Sequence, residues 1–444
     1  MSAILEGTMP ANVADFGNGR ETRAAIIEEA IPGSTAPAYR IDQKLHQILY
    51  REEARPVLEP RPEVKLPEPV YPQHPDPKEM SLKDYQRLNA WRAWKTWGSP
   101  YFRSRFHKGE LRPIIPYLFT EWKCNLDCHY CWSYNNRIKG MTEDVAKRSI
   151  DWLHSIGSRV LALMGGEPLL RPDFIHRIVY YSAKKDVFVY LPTNGRLMKP
   201  EVIDKLGDAG IATFNIAVDS IKERKSLPKS YEPIKEKIEY LVKRQRNYGY
   251  TVMFNINICH NNIDDVKELT QIARDYGVAT DYHINESPMT EQPHFKHINE
   301  NQTYLTEEDW PKVDDLLDYL KDLAVNHGYK MANPVTHFGT MKQLMRGSVP
   351  PWNCRAGQNS LIIRTDGTLA PCFPMYSATV DWGVVGAHKF DVKQLDEMKT
   401  ECTKHCLSTC NYILGYCYDT KRVISWALKQ ARGGFRSVSG AFDV

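Results

Sequence analysis

The stretch Cys124-Asn125-Leu126-Asp127-Cys128-His129-Tyr130-Cys131 places three thiols at the spacing C-x3-C-x2-C. It comes shortly after an apolar run at residues 113–119, which predicts a buried strand. We therefore expect the thiols on the loop that leaves the C-terminal end of this strand. Their close spacing on one loop lets the three sulfur atoms converge.

Three thiolates can bind three corners of a four-iron, four-sulfur cluster, and the fourth iron then needs a ligand from outside the protein. The alternatives are a structural zinc loop and thiols without any ligand. Zinc sites usually have a C-x2-C pair that is followed by a second pair or by a histidine pair. The spacing therefore favours an iron–sulfur cluster with one open iron.

The composition is that of a soluble globular protein with two or three domains: 444 residues, 42% hydrophobic and 25% charged. No run of about 18 apolar residues predicts a membrane span. The N-terminus lacks the basic and apolar regions of a secretory signal. The net charge of +4 is too small to argue for a nucleic-acid partner. Ten cysteines without an export signal favour reduced thiols and metal binding, hence a cytoplasmic, oxygen-sensitive protein.

Residues 1–80 are predicted to form a proline-rich, partly disordered N-terminal extension of unassigned function. Two helices are plausible, near residues 23–30 and 42–53. Eight prolines fall within residues 56–77, and proline this dense predicts an extended tether that lies outside any packed core.

Ser81 is a predicted N-cap for a helix at residues 82–97. Aromatic residues recur along this helix and its lead-in to residue 112, and basic residues lie between them. The favoured interpretation is an aromatic stripe packed on the domain beneath. The alternative is a helix that lies in a membrane interface. The stripe consists of the aromatic residues Tyr85, Trp91, Trp94 and Trp97, and Leu88 extends it.

Strands and helices alternate from residue 113 to about residue 290. The predicted strands are 113–119, 159–164, 187–191, 213–218, 252–258 and 280–284, and the predicted helices between them are 144–156, 174–184, 199–209, 231–247 and 264–276. Short joints between six such units require a parallel sheet with right-handed crossovers. In this architecture the loops at the C-terminal ends of the strands form one face, where active sites lie.

Polar motifs follow these strands on that face. Two adjacent glycines, Gly165 and Gly166, let the backbone approach a small ligand closely, and Glu167 and Pro168 follow them. Ordinary turn chemistry is the alternative for the polar residues at the later strand ends. Cys259 in particular is expected to be a buried, inert thiol. The further candidates are Asn194, Asp219, Ser220 and Asn257 for a cofactor, and Cys259, His283 and Glu286 for a substrate.

Cys124, Cys128, Tyr130 and Cys131 resemble the C-x3-C-x-aromatic-C signature of the radical S-adenosylmethionine (radical SAM) superfamily, and residues 165–168 resemble its GGEP motif. The resemblance implies a partial (β/α)6 barrel over residues 113–300. It also implies a [4Fe-4S] cluster on the three cysteines, with S-adenosylmethionine chelating the open iron. Tyr130 would then lie against the adenine, and the GGEP motif would meet the amino group of the cofactor. Asn194, Asp219, Ser220 and Asn257 would be placed for the carboxylate and the ribose.

A predicted helix at residues 306–326 leads, through a linker at 301–350, to a second cysteine-rich module at 351–432, and a tail follows at 433–444. Cys354, Gly367 and Cys372 form the pattern Cys-x12-Gly-x4-Cys around a predicted hairpin with an Asp-Gly turn. This pattern resembles the first half of the SPASM or twitch domain, which carries auxiliary iron–sulfur clusters in many radical SAM enzymes. The remaining cysteines are Cys402, Cys406, Cys410 and Cys417.

The spacing of these later cysteines departs from the full SPASM pattern. Six thiols satisfy one four-iron cluster and not two, so we expect one auxiliary cluster on Cys354, Cys372 and two of the later four. A second cluster with an open iron, a cluster that uses His405, and a structural zinc site stay open as alternatives. A basic helix with Trp426 is predicted at residues 420–432, either covering the domain or touching a membrane.

The resemblance implies an enzyme that cleaves S-adenosylmethionine reductively and removes hydrogen from a substrate C–H bond. A peptide that undergoes oxidation or crosslinking is the favoured substrate, and a flavodoxin- or ferredoxin-type protein is the expected electron donor. A lipid or another membrane-associated substrate, with peripheral membrane contact, is the alternative. An iron–sulfur electron carrier or cluster scaffold is the non-enzymatic alternative, for which the GGEP motif would be unnecessary.

Overall fold

A computed structural model describes residues 47, 56–62, 64–71, 77–107, 109–131, 138–285, 301–376, 378–404, 406–416, 418 and 421. The predicted helix near residues 23–30 lies outside the described residues. So do the predicted helices at 42–53 and 420–432, except for residues 47 and 421. Within them, the helices are α1 Leu82–Ala93, α2 Ser99–Phe106, α3 Glu143–Ser155, α4 Pro172–Lys184, α5 Pro200–Ala209, α6 Lys235–Tyr248, α7 Ile263–Asp275, α8 Trp310–Asn326, α9 Val335–Met345, α10 Val392–Cys402 and α11 Thr409–Tyr416. The strands are β1 Ile115–Glu121, β2 Val160–Gly165, β3 Phe188–Thr193, β4 Thr213–Ala217, β5 Thr251–Ile258, β6 Ala279–Ile284, β7 Ser360–Ile363, β8 Leu369–Ala370, β9 Gly383–Val384 and β10 Ala387–His388.

Strands β1 to β6 form a parallel sheet in the order β6-β5-β4-β3-β2-β1, with one helix between each successive pair. The prediction of a mixed α/β fold with a parallel sheet is confirmed, and the predicted strands and connecting helices correspond to these elements. Short apolar runs produce this sheet because a parallel strand is covered on both faces and needs apolar side chains on each. All seven residues of β1 are buried.

Local signals set the limits of the helices that cover the sheet. Thr142 caps α3, since its hydroxyl accepts a hydrogen bond from the Val145 N–H at 3.3 Å. Helix α5 ends at Gly210, whose φ of +91° is a left-handed conformation that glycine adopts without a steric penalty. Because both signals are local, helix limits of this kind can be read from the sequence.

The C-terminal hairpin extends the same sheet. Strand β7 pairs in parallel with β1, with Ile115 opposite Ser360, and β8 pairs antiparallel with β7. The predicted hairpin is therefore present, and it brings the second cysteine-rich region against the edge strand that carries the first one. Pairing between elements so far apart in the sequence leaves no local pattern, and the sequence did not predict it.

The proline-rich segment packs on the barrel. Leu66 is buried in the main core, and its N–H donates to the Glu143 carboxylate of α3 at 2.8 Å. The Tyr180 hydroxyl of α4 donates to the Val70 carbonyl at 3.3 Å. The expectation that this segment lies outside any packed core is wrong for Leu66, because an extended chain can still place single apolar side chains in a groove.

The aromatic helix differs from the favoured interpretation as well. Helix α1 is followed by a π-helical turn, Trp94–Gly98, and then by α2, so the helical path continues to Phe106. Tyr85 packs inward and donates to the Tyr250 carbonyl at 2.9 Å. Trp91, Trp94 and Trp97 are instead exposed, so a stripe packed on the domain is the wrong interpretation for them. Among the helices of the described residues, none has both the length and the apolar character to cross a membrane.

Candidate active site

The three thiols lie on the loop that follows β1, as predicted. Cys128 is buried, whereas Cys124 and Cys131 are partly accessible. The loop turns back on itself, since the Cys131 N–H donates to the Cys128 carbonyl at 3.0 Å and the Leu126 N–H contacts the Cys124 sulfur at 3.5 Å. The loop therefore exposes two of its three sulfur atoms at the rim of the sheet.

The two glycines after β2 hold the start of this loop. The Gly166 N–H donates to the Glu121 carbonyl at 2.7 Å, and the Glu167 N–H donates to the Lys123 carbonyl at 2.8 Å. A Cβ atom on Gly166 would lie 2.2 Å from the Lys123 oxygen, and one on Gly165 would lie 2.3 Å from the Glu121 oxygen. The contact that excludes a side chain here is therefore with the chain's own backbone, directly before Cys124.

Glu167 faces into the protein and joins two strand ends. Its carboxylate accepts hydrogen bonds from the Leu169 N–H at 2.9 Å, the Thr193 hydroxyl at 2.8 Å and the Asn194 N–H at 2.9 Å. Burial raises the pKa of Glu167, and these three donors oppose the rise. The carboxylate thus fixes the turn after β3 beside the turn after β2. Pro168, also predicted for the cofactor, begins a buried 3-10 turn.

Asn194 connects the β3 turn to the cysteine loop. Its side-chain NH2 donates to the Asn125 side chain at 2.8 Å and lies 3.9 Å from the Cys124 sulfur. Its side-chain oxygen accepts from the Arg196 N–H at 3.0 Å. The structure therefore brings Asn194 to the first cysteine, through contacts that close-range sequence patterns cannot show.

Asp219 connects the cysteine loop to β5. Its carboxylate accepts a hydrogen bond from the Tyr130 hydroxyl and another from the Asn257 N–H, the latter at 2.8 Å. Burial raises the pKa of Asp219, while the nearby Lys229 acts to lower it. The Asp219 carboxylate therefore brings together Tyr130 and Asn257. All three residues are predicted cofactor contacts.

The remaining predicted residues differ in their placement. Ser220 is buried and donates to the Lys222 carbonyl of its own loop at 2.9 Å. Cys259 is fully buried, as expected for an inert thiol. His283 lies 3.0 Å from the Asn255 amide and 3.3 Å from the Asp281 carboxylate. Glu286 lies outside the described residues.

Lys229 is a site residue that the sequence reasoning missed. Its ammonium lies 5.0 Å from the centroid of the Tyr130 ring. Burial acts to lower the pKa of Lys229, but the nearby Cys128, Asp219 and Cys131 outweigh it and raise the pKa above its ordinary value. A single lysine in a loop has no motif, and only the fold shows that its charge reaches the three thiols.

The charge state of the thiols depends on what they bind. Burial is the main cause that raises the pKa of Cys124 to about 11, and the neighbouring Cys131 adds to it. Burial also raises the pKa of Cys128. These thiols therefore stay protonated near neutral pH unless a metal compensates their negative charge.

In the described part of the chain, no three His, Cys, Asp or Glu side chains are grouped closely enough to hold one metal ion. A cluster of four irons binds each thiolate to a different iron, so its ligands stand further apart than those of one ion. Three soft sulfur donors with a lysine beside them suit such a cluster.

Four thiols form a second group around the C-terminal hairpin. Cys372, Cys402 and Cys406 are buried, and Cys354 is partly accessible beside a cavity of about 520 Å³. Burial raises the pKa of Cys402, and nearby Cys354 and Cys372 add to the rise. Burial also raises the pKa of Cys372, with added effects from Cys354 and Cys406. The side chain of Cys410, like Cys417 and His405, lies outside what the structure describes.

Taken together, the site is a thiol-rich loop at the rim of a parallel α/β sheet, held by a Gly-Gly-Glu-Pro turn. Residues 123–273 match the model of the Radical SAM superfamily. This match covers the α/β region that carries the cysteine loop, and it supports a relation of that region to the superfamily.

Curated relatives match part of the chain. An AdoMet-dependent heme synthase of Methanosarcina barkeri is 31% identical over 169 residues, which is 36% of this chain and 47% of that protein. A GTP 3',8-cyclase of Sulfurimonas denitrificans is 24% identical over 276 residues, or 58% of this chain and 80% of that protein. The first three relatives are covered over less than half of their length, namely 47%, 29% and 44%.

Two solved structures also resemble the chain. Streptococcus suis SuiB bound to the precursor peptide SuiA has a TM-score of 0.47 and 14% identity, over 66% of this chain and 65% of that one. The protein anSMEcpe with bound AdoMet has a TM-score of 0.47 and 17% identity, over 66% of this chain and 82% of that one.

Proposed function

We propose that this protein is a radical SAM enzyme whose rim cysteines Cys124, Cys128 and Cys131 hold a [4Fe-4S] cluster with one open iron. When bound, the cluster and S-adenosylmethionine supply a one-electron reduction that generates a 5′-deoxyadenosyl radical able to remove hydrogen from a C–H bond. The observation that carries the proposal is the contact between the cysteine loop and the Gly-Gly-Glu-Pro turn, which unites the two motifs at one rim.

The surrounding residues would bind and orient the cofactor. Asn194 stands next to Cys124, and Lys229 supplies a positive charge for an anionic group. Tyr130 is held by its hydrogen bond to Asp219, which anchors the hydroxyl end of the ring. Pre-set side chains of this kind reduce the entropy that a ligand loses on binding.

We further propose one auxiliary [4Fe-4S] cluster on Cys354, Cys372, Cys402 and Cys406. Of the four later cysteines, Cys402 and Cys406 are the two whose charges couple with the hairpin thiols in the described residues. Four thiolates complete the coordination of a four-iron cluster, so its role would be electron transfer. An electron acceptor of this kind suits a net oxidation of the substrate radical.

The substrate class that we propose is a peptide, with a flavodoxin- or ferredoxin-type protein as electron donor. A second candidate substrate is an iron porphyrin. It is favoured by the names of the first three relatives, two AdoMet-dependent heme synthases and an Fe-coproporphyrin III synthase. Titration with Fe-coproporphyrin III, followed by the porphyrin absorption band, separates the two candidates, because a peptide-modifying enzyme should leave that band unchanged.

Anaerobic reconstitution tests the central proposal. We expect iron and sulfide for two four-iron clusters, and 5′-deoxyadenosine from S-adenosylmethionine under dithionite. The Cys124→Ser variant should keep its fold by circular dichroism and lose 5′-deoxyadenosine formation. Cys259→Ala is the matched control, since this buried thiol is no proposed ligand and its variant should form the product normally. Normal product from the Cys124→Ser protein would refute the assignment.

A further inference from the structure

Five aromatic side chains between residues 91 and 106 form an exposed patch, which we call the aromatic surface. The Trp94 and Phe102 rings lie 5.9 Å apart, so the patch continues across the π-helical turn from α1 to α2. A contiguous exposed patch of large apolar side chains marks an interaction site. Its members and their exposed fractions are Trp91 51%, Trp94 56%, Trp97 38%, Phe102 47% and Phe106 84%.

Positive charges border this surface, and one of them, Lys95, is already paired with Asp186. Residues 85–107 contain five basic residues and no acidic one. Arg87 stands four positions before Trp91, and Arg103 stands three before Phe106, so each arginine lies on the same side of its helix as an exposed ring. Both arginines are exposed. The occupant of the aromatic surface is therefore expected to carry negative charge.

The C-terminal segment leaves the described part of the chain beside the same helices. The Tyr418 hydroxyl is hydrogen-bonded to Ser104 of α2, and Lys421 is exposed. Residues 420–436 again contain five basic residues and no acidic one. This sequence therefore offers no negative charge to pair with Arg87 and Arg103.

Helix α1 lies at the end of the sheet opposite to the cysteine loop. Arg92 donates to the Gly249 carbonyl at 2.5 Å, and its guanidinium lies 5.7 Å from the centroid of the Phe188 ring. Phe188 begins β3, and Gly249 comes just before β5, so both contacts are at the N-terminal ends of strands. The cysteine loop instead follows the C-terminal end of β1.

We propose that the aromatic surface binds the interface of an anionic lipid bilayer. Tryptophan is the residue that favours the headgroup level of a bilayer, and basic side chains beside it are attracted to anionic lipids. The thiol-bearing rim then faces away from the bilayer, so a substrate enters from the aqueous side. This proposal does not depend on the function proposed above.

Co-sedimentation of the full chain with vesicles tests the proposal. We expect binding to vesicles of phosphatidylcholine mixed with an equal amount of phosphatidylglycerol, and much weaker binding to phosphatidylcholine alone. The triple variant Trp91→Ser, Trp94→Ser, Phe106→Ser should bind about tenfold more weakly or worse. The double variant Arg87→Glu, Arg103→Glu should lose about tenfold or more, and added salt should abolish the difference between the two vesicle types.

Val325→Ser is the matched control, since Val325 is 57% exposed on α8 and far from this surface in the sequence. It should bind vesicles like the native chain. The proposal is overturned if the native chain binds neither vesicle, or if the triple variant binds as well as the native chain. A native dimer that the triple variant converts to a monomer, measured by light scattering, would assign the surface to a second copy instead.

Discussion

The two cysteine groups of this protein are built on a common plan. In each, a glycine from a later element touches the carbonyl of the residue directly before the first cysteine. A Cβ atom on Gly166 would lie 2.2 Å from the oxygen of Lys123, and one on Gly415 would lie 2.1 Å from the oxygen of Asn353. Each group therefore has its first cysteine fixed by backbone packing that excludes any side chain.

Each group also has one lysine whose charge couples with the thiols, but the two lysines differ. Burial lowers the pKa of Lys399, and the nearby Cys354 opposes this only in part. At the rim, the thiols and Asp219 outweigh burial and raise the pKa of Lys229. Lys399 also donates to the Gln358 side chain at 2.8 Å, within the core.

The groups differ most in accessibility. Two of the three rim thiols are partly accessible, whereas three of the four thiols described around the hairpin are buried. A partly accessible group with three thiols leaves room for an outside ligand, and a buried group with four thiols can satisfy a cluster by itself. This difference agrees with the roles that we propose, chemistry at the rim and electron transfer at the hairpin.

Serine substitution at the two groups gives the largest expected contrast. Cys128→Ser should reduce 5′-deoxyadenosine formation by about a thousandfold or more, because the proposed rim cluster needs all three thiolates. Cys402→Ser should lower the iron content by about half, the share of one of two four-iron clusters, while product formation under dithionite continues. Iron analysis and product assay on both variants check this.

The contrast fails if the Cys402→Ser protein loses cofactor cleavage while retaining its rim cluster by electron paramagnetic resonance. Such a result would show that Cys402 takes part in cofactor cleavage. It would contradict the proposal that only the rim group does so.

Alanine at the two glycines should produce a smaller, structural effect at both groups. Gly166→Ala and Gly415→Ala each force a methyl group against a carbonyl oxygen, and we expect each to lower the free energy of unfolding by about 2–3 kcal/mol. Urea unfolding of the cluster-free chain measures the loss. Gly339→Ala is the matched control, because its Cβ would meet nothing within 4 Å.

If the common plan is right, each alanine also reduces iron at its own group only. Equal loss at both groups from either variant would show that the two sites are coupled through the shared sheet, and not fixed separately.

The alternation of strands and helices could be predicted because apolar runs, caps and turn residues act locally. The cysteine loop and the Gly-Gly-Glu-Pro turn could be assigned to one rim because C-terminal strand ends of a parallel sheet meet there. The contacts of the individual side chains could not be predicted. Glu167 and Ser220 face into the protein, because the fold brings their hydrogen-bond partners to that side. Lys229 and Lys399 lack any sequence signal.

The exposed tryptophans show another limit of sequence reasoning. A periodic aromatic stripe is usually buried, since large apolar side chains are stabilised by leaving water. Helix α1 packs through Tyr85 and Arg92 and leaves Trp91 exposed. Which side of a helix meets the sheet depends on the whole arrangement, so the spacing of the aromatic residues predicted burial for side chains that are exposed.

Removing the lysine of the hairpin group should have a moderate effect on that group alone. Lys399→Met removes a buried positive charge near Cys354 and Cys402, so we expect the potential of the auxiliary cluster to fall by tens of millivolts. A redox titration monitored by electron paramagnetic resonance measures it. Lys404→Met is the control, because Lys404 is exposed and paired with Glu401. An unchanged potential in the Lys399→Met protein would show that the charge of Lys399 does not affect the auxiliary cluster.

The smallest expected effect concerns His337, which stands between the barrel and the hairpin region. Its ring is fully buried and stacks on the Tyr412 ring at 4.5 Å, and burial lowers the pKa of His337 to about 3. The unfolded chain binds a proton near pH 6.5 and the folded chain does not, so stability present above pH 6.5 is lost as the pH falls toward 3.

We expect this histidine to cost the cluster-free chain about 2 kcal/mol of unfolding free energy between pH 7 and pH 5. The His337→Phe variant keeps the ring stacking and lacks the proton, so it should lose that much less over the same interval. Urea unfolding at the two pH values measures both proteins. Equal losses would mean that the ring takes up its proton while folded, and that the contact between the two regions tolerates a charge.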